Sequence, residues 1–135
     1  MTKDIDTRSV DQRPQAGPCV DVLLVDDEEE YIKTLAERLQ ARGLKVEVAI
    51  NGMEALEKVK TTTFQSVVLD YAMPGMDGIE TLKALKAVDP KLTFILLTGK
   101  ATIKAAIEAS RLGAVDVLEK PTDIETLLEK FKRVE

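Results

Sequence analysis

Short apolar runs alternate along the chain with longer stretches in which apolar positions recur every three or four residues. The runs are VDVLLV (20–25), KVEVAI (45–50), SVVLD (66–70), TFILLT (93–98) and AVDVLE (114–119). Each is rich in Val, Ile or Leu and has the length of a strand. VLLV, VVL and FILL are apolar without alternation, as strands are when both faces are covered, the usual state of a parallel sheet. The stretches between them predict helices. Ile32, Leu35, Ala36 and Leu39 fall on one face of the first, and Gly43 follows as its stop. Met53 to Lys60 turns Leu56 and Val59 inward. Ile79, Leu82 and Leu85 mark a third helix that ends before Pro90. Ile103, Ala106 and Ile107 mark a fourth, stopped by Gly113. TDIETLLEKF opens a fifth with a capping box of Thr122 and Glu125, and carries Ile124, Leu127, Leu128 and Phe131 as its stripe.

Five strand–helix units predict an α/β domain of three layers, α/β/α, around five parallel strands joined by right-handed crossovers. Residues 1–19 contain Pro14, Gly17 and Pro18 without apolar periodicity and are expected to be a disordered tail, with the folded domain over 20–135. In such a sheet ligands bind beyond the carboxyl ends of the strands, where strand order reverses. Asp26 and Asp27 follow the first strand and Asp70 the third. Thr98 and Gly99 end the fourth, and Lys120 with Pro121 follows the fifth. One end of the sheet therefore gathers three carboxylates, a hydroxyl and an ammonium.

Composition narrows the chemistry. The chain has no histidine, which removes histidine acid–base catalysis, histidine metal ligands and histidine phosphorylation within it. A single cysteine, Cys19, rules out an intramolecular disulfide and a cysteine metal cage, and fits a reducing cytoplasm. Net charge is −5 with acids and bases interleaved, against the basic face that direct nucleic-acid binding needs. The charged start MTKDIDTRSV is no signal peptide, and no apolar run reaches membrane-spanning length.

Crowded carboxylates repel, and a hard cation removes the conflict; Mg²⁺ favours one or two carboxylates plus phosphate oxygens and water. A carboxylate beside Mg²⁺ can act as nucleophile toward phosphorus, with a lysine and a hydroxyl neutralising the transferred group. Each residue also has a plainer reading. Asp26, Asp27 and Glu28 suit a helix N-terminus, Asp70 a turn before Pro74, Gly75 and Gly78, Thr98 a helix cap, and Lys120 the solvated surface. Their joint placement at one end of one sheet favours the site.

LLVDD, VVLDYAMPGMDG, LLTG and LEKP occur in this order, with 43, 28 and 22 residues separating Asp27, Asp70, Thr98 and Lys120. In these motifs the chain resembles the receiver domain of two-component response regulators, over Val20 to Val134. The resemblance implies a flavodoxin-like (βα)5 fold with strand order 2-1-3-4-5. It implies phosphorylation of Asp70, and Mg²⁺ held by Asp27, Asp70 and the Ala72 carbonyl, with Asp26 acting through water. Lys120 would pair with Asp70 and the phosphate, Thr98 would swing inward to the phosphoryl oxygen, and Gly99 would keep the approach open. The Lys120–Pro121 peptide would be cis. The donor would be a histidine kinase or histidine phosphotransfer protein docking beside the first helix. Output, to a partner protein or a further domain, would use the face of helix four, strand five and helix five, which is also where a phosphorylation-dependent dimer would form; otherwise the chain is a monomer. Val117 stands where relatives carry an inward-turning aromatic, so the aromatic half of the family's switch is in question here. Ala72 and Lys100 occupy positions that tune phosphoryl lifetime, and Ala72 offers no group to orient water, which implies slow to moderate autodephosphorylation. Two alternatives remain. One is an aspartyl-phosphate phosphatase, which would need a second acid where Ala72 stands. The other is a pseudo-receiver that only binds protein, which would lack acids or the lysine.

Overall fold

The computed structural model describes residues 19–71, 78–99, 103–114 and 116–132. Five strands, β1 (Cys19–Val25), β2 (Val46–Ala49), β3 (Thr63–Asp70), β4 (Thr93–Thr98) and β5 (Asp116–Glu119), alternate with five helices. These are α1 (Glu29–Ala41), α2 (Gly52–Thr61), α3 (Gly78–Val88), α4 (Ile103–Arg111) and α5 (Ile124–Lys132). All strand pairs are parallel and the order is β2-β1-β3-β4-β5, as the resemblance implied.

Alternate residues of each central strand feed two separate cores, because a strand projects successive side chains to opposite faces. Leu23, Val25, Val67, Leu69, Phe94 and Leu96 meet α2, α3 and Ala109 of α4 on one face. Val22, Leu24, Val68, Ile95 and Leu97 meet α1 and α5 on the other. Strands buried on both sides account for the unbroken VLLV, VVL and FILL runs. The predicted stripes of α1 and α3 are fully buried, and that of α5 packs into its core.

Four local expectations are corrected. Cys19 belongs to β1, opposite Thr63, rather than to the tail; residues 1–18 lie outside the described residues. β3 begins at Thr63, three residues before the apolar run, with Phe64 buried. The cap of α5 is Asp123, whose Oδ1 accepts the Thr126 N–H at 2.7 Å, not Thr122. Glu125 instead pairs with Arg42 beyond α1. In α4 it is Ala109 that is buried, while Ile107 is 53% exposed; the Ile103 and Ala106 side chains lie outside the described set. Gly43 and Gly113 hold φ of +92° and +88°, the left-handed geometry that ends α1 and α4.

Candidate phosphoacceptor site

The carboxyl ends of β1, β3, β4 and β5 carry the site. β1 delivers Asp26, 1% exposed, and the exposed Asp27 beyond it; β3 delivers Asp70, 5% exposed. One carboxylate oxygen from each of the three lies within 4.8 Å of the other two. Octahedral Mg²⁺ binds oxygens at about 2.0–2.1 Å, so opposite ligands stand about 4 Å apart. The cluster thus has the chemistry and nearly the spacing of a hard-cation site, and fits the expected ion. Thr98 is buried at the end of β4, and its carbonyl accepts the Lys120 N–H at 2.8 Å, which fixes the start of the β5–α5 loop against β4. The Lys120–Pro121 peptide is cis.

Asp26 is satisfied without solvent. Its Oδ1 accepts the Glu28 N–H at 2.8 Å and its Oδ2 accepts Lys120 Nζ at 2.9 Å. Both oxygens being engaged suits a role beside the metal rather than as its main ligand. Asp27, exposed, has the open approach a direct ligand needs. Lys120 also donates to Glu28, while its Nζ stands 3.7 Å from Asp70 Oδ2, an ion pair beyond hydrogen-bond reach. Burial pulls the Lys120 pKa down, but the hydrogen bonds to Glu28 and Asp26 and the charges of Asp26 and Asp70 outweigh it, so the ammonium is held above its ordinary value.

Two residues enter the site that the linear pattern did not single out. From sequence, Glu28 suits a helix N-terminus. It makes no side-chain cap, and its carboxylate reaches Lys120 instead. Tyr31, on the first turn of α1, places its ring 5.0 Å from Lys120 Nζ, and its hydroxyl accepts the Thr122 N–H at 3.4 Å. Burial raises the Tyr31 pKa, with the Thr122 bond and the Lys120 charge opposing. The acid at position 28 was a sequence signal for the first; nothing local pointed to the second.

The glycines behave differently from each other. A Cβ on Gly99 would meet nothing within 4 Å, so neither packing nor backbone geometry requires glycine there. A Cβ on Gly78 would stand 2.5 Å from the Asp70 carbonyl oxygen and 2.6 Å from Tyr71 Cα. Gly78 N–H donates to Tyr71 O at 3.0 Å, closing the β3–α3 connection. Tyr71 itself reaches α4, its hydroxyl donating to Glu108 at 3.2 Å. Val117 faces Leu96 across the β4–β5 pair and packs, half-buried, on the α2–α3 side of the sheet. The expected Ala72 carbonyl and Lys100 lie outside the described residues.

A five-stranded parallel sheet with acids and a lysine at its carboxyl edge is the architecture of a phosphoryl-accepting or nucleotide-binding α/β domain. The response regulator receiver domain family matches residues 22–132, and the chain belongs to it. It is 40% identical over 112 residues to the transcriptional regulatory protein ZraR of Klebsiella oxytoca, covering 83% of this chain and 25% of that protein. The chain thus spans about a quarter of the length of the ZraR proteins it matches. Its fold is similar to the chemotaxis protein CheY4 of Vibrio cholerae (TM-score 0.80, 32% identity, 87% of this chain and 100% of that one). It is also similar to a response regulator of Burkholderia pseudomallei solved with a phosphorylated aspartic acid, a calcium ion and citrate (TM-score 0.78, 31% identity, 83% of this chain and 66% of that one). The protein is therefore a receiver domain of the two-component type, a signalling switch. Among the described residues no helix is long and apolar enough to cross a membrane.

Proposed function

We propose that Asp70 accepts a phosphoryl group in a Mg²⁺-dependent reaction and that the receiver unit over residues 20–135 transmits the change through α4, β5 and α5. The observation that carries this reading is the meeting of three carboxylate oxygens within 4.8 Å, with Lys120 Nζ 3.7 Å from Asp70 Oδ2. In the reaction an Asp70 oxygen attacks phosphorus, the bond from phosphorus to the donor's imidazole nitrogen breaks, and that nitrogen keeps the electron pair. Mg²⁺, held by Asp27, Asp70 and the Ala72 carbonyl with Asp26 through water, would supply positive charge to the phosphoryl oxygens. Lys120 neutralises a further oxygen. Thr98, buried beside Asp70 at the end of β4, turns its hydroxyl to the phosphoryl group. Gly99 leaves the approach clear, which its open Cβ direction supports.

The donor on this reading is a histidine kinase or histidine phosphotransfer protein; no histidine lies within these 135 residues. The output is a protein contact, to a partner or to a further domain such as the transcriptional regulators among its relatives carry, and the receiver itself does not touch nucleic acid. Exposed Ile107, with Lys104, Glu108 and Arg111 around a surface groove of about 420 Å³, supports the α4 face as that surface. A cytoplasmic location accords with such a donor. Incubation with phosphoramidate and Mg²⁺, read by intact mass, tests the reading. The wild type gains one phosphoryl group, Asp70→Asn and Asp27→Ala gain none, and Glu30→Ala behaves as wild type. Phosphorylation of the Asp70→Asn variant at the wild-type rate would reject it.

A further inference from the structure

We propose that Glu28 is a positioning residue for Lys120: it holds the ammonium off Asp70 in the unphosphorylated protein and yields it to the phosphoryl group. The inference rests on Asp70 being the phosphoacceptor and adds to that reading a competing partner for its lysine.

A lysine ammonium has three N–H donors and no acceptor. In this structure one goes to Asp26 Oδ2 at 2.9 Å and one to Glu28 Oε1, while Asp70 Oδ2 stays at 3.7 Å. The lysine is thus committed to the β1–α1 junction. Glu28 is built for that hold. Its backbone N–H is pinned by Asp26 Oδ1, so Asp26 grips both the lysine and the residue that competes for it. Its side chain makes no cap bond to α1, though it occupies the N-cap position. The Tyr31 ring stands over the same ammonium and favours its charge on that side.

The two carboxylates that hold the lysine differ in environment. The Asp26 side chain is 1% exposed, whereas that of Glu28 is 61% exposed. Water and salt weaken the exposed pair, and such pairs are worth little in isolation. Breaking the Asp26 contact would strand a buried charge; breaking the Glu28 contact returns a carboxylate to water. A phosphoryl group on Asp70 replaces the single carboxylate charge with roughly one and a half to two negative charges spread over three acceptor oxygens close to Nζ. The Glu28 bond is therefore the one exchanged. In the unphosphorylated state it acts as a brake, since every gain from Lys120 pairing with phosphate is reduced by the pairing it gives up.

The test uses beryllofluoride as the phosphoryl mimic at saturating Mg²⁺, so that charge loss at position 28 does not act through metal affinity. Glu28→Gln keeps the shape and removes the charge. It is expected to bind beryllofluoride roughly 1.5- to 5-fold more tightly than wild type, the span of an exposed ion pair. In a Lys120→Met background the same substitution is expected to leave the affinity unchanged. A spectroscopic readout separates positioning from a general structural effect. In nitrogen-15 NMR the Lys120 ammonium signal of the free protein shifts on Glu28→Gln, while that of the beryllofluoride form does not. Equal or weaker binding by Glu28→Gln, or an unmoved free-state Lys120 signal, overturns the proposal alone. Failure of the wild type to bind beryllofluoride overturns the phosphoacceptor reading and the proposal with it.

Discussion

Replacing Gly78 by alanine places a methyl group where the backbone of Asp70 and Tyr71 already stands. The new Cβ would lie 2.5 Å from the Asp70 carbonyl oxygen, 2.6 Å from Tyr71 Cα and 2.9 Å from Tyr71 O. Ordinary contact for a Cβ begins at 3.4 Å, so the end of β3 and the start of α3 must part by about 0.9 Å. The atoms in the way are backbone, so no side-chain rotation relieves the clash. Overpacking of this kind costs about 1–3 kcal/mol. Alanine recovers about 0.4–1 kcal/mol by restricting the unfolded chain. The net expectation is a loss of about 1–2 kcal/mol, read in urea as a lower midpoint with an unchanged slope. The same displacement moves Asp70 relative to Asp26, Asp27 and Lys120. Misplacement near 1 Å can cost about 100-fold in a positioned reaction, so phosphorylation by phosphoramidate is expected to slow at least tenfold. Gly99→Ala is the control for glycine loss in general, because its Cβ meets nothing within 4 Å. Its stability is expected to stay within about 0.5 kcal/mol of wild type. A Gly78→Ala protein as stable as wild type and phosphorylated as fast refutes the reasoning.

Thr98→Ala is expected to retain Mg²⁺-dependent phosphorylation but to lose the phosphorylation-dependent shifts in the β4–α4 loop and α4 and to weaken partner binding; NMR spectra unchanged by the substitution in both states would count against a switching role. Tyr71→Phe keeps the packed ring and removes the hydroxyl that donates to Glu108. It is expected to cost about 0.5–1.5 kcal/mol and to speed amide exchange in α4 between Glu108 and Leu112, and wild-type exchange there would show that the bond does not restrain the helix. The third concerns acid. The Thr126 N–H bonded to Asp123 holds that carboxyl below its ordinary 3.8. A carboxyl depressed in the folded state stabilises above its unfolded value and loses that contribution as pH falls through the folded one. Asp123→Asn preserves the cap and removes the charge, so any stability advantage of the wild type in thermal melts should shrink as pH drops below 3.8; a gap independent of pH would place the effect elsewhere.

What was legible in the sequence was what repeats. β1, β3 and β4 announced themselves because burial on both faces leaves no polar positions to interrupt them. α1, α3 and α5 did so because a long apolar stripe has only one face to occupy. The misses have physical causes. Thr63 and Gln65 are polar yet extend β3, since pairing with Cys19 and Val20 of β1 supplies the backbone partners that their side chains do not advertise. Thr122 and Asp123 can both cap a helix, and only the frame of α5 chooses between them. In α4 the small Ala109 packs into the core while the larger Ile107 is left exposed, so side-chain size alone does not identify the buried face. The candidate site residues Asp26, Asp27, Asp70, Thr98 and Lys120 were legible as a cluster because each ends or closely follows a strand. Glu28 and Tyr31 were not, since their link to Lys120 spans 92 and 89 residues of sequence and exists only once β1 and β5 are in one sheet.

The charge balance of the site explains why that link matters. Asp26, Asp27, Glu28 and Asp70 bring four carboxylates to one sheet edge, and among the described residues Lys120 is the cation paired with three of them. Three negative charges stand in excess. A divalent cation offsets two, and phosphorylation then replaces the single Asp70 charge by about two on the phosphoryl oxygens, a net gain of about one, so the site becomes no easier to satisfy when it is loaded. Asp26 cannot move without exposing its buried oxygens, and on the proposed reading Asp27 and Asp70 hold the metal. The position of the Lys120 ammonium is the adjustable quantity, because a lysine stem is flexible and its head is a point charge. On the proposed reading, the free and phosphorylated sites differ in which carboxylate or phosphate the lysine serves. A partner for Lys120 that is acidic, exposed and at the N-cap of the neighbouring helix sets how readily that choice is made, which is the place Glu28 occupies.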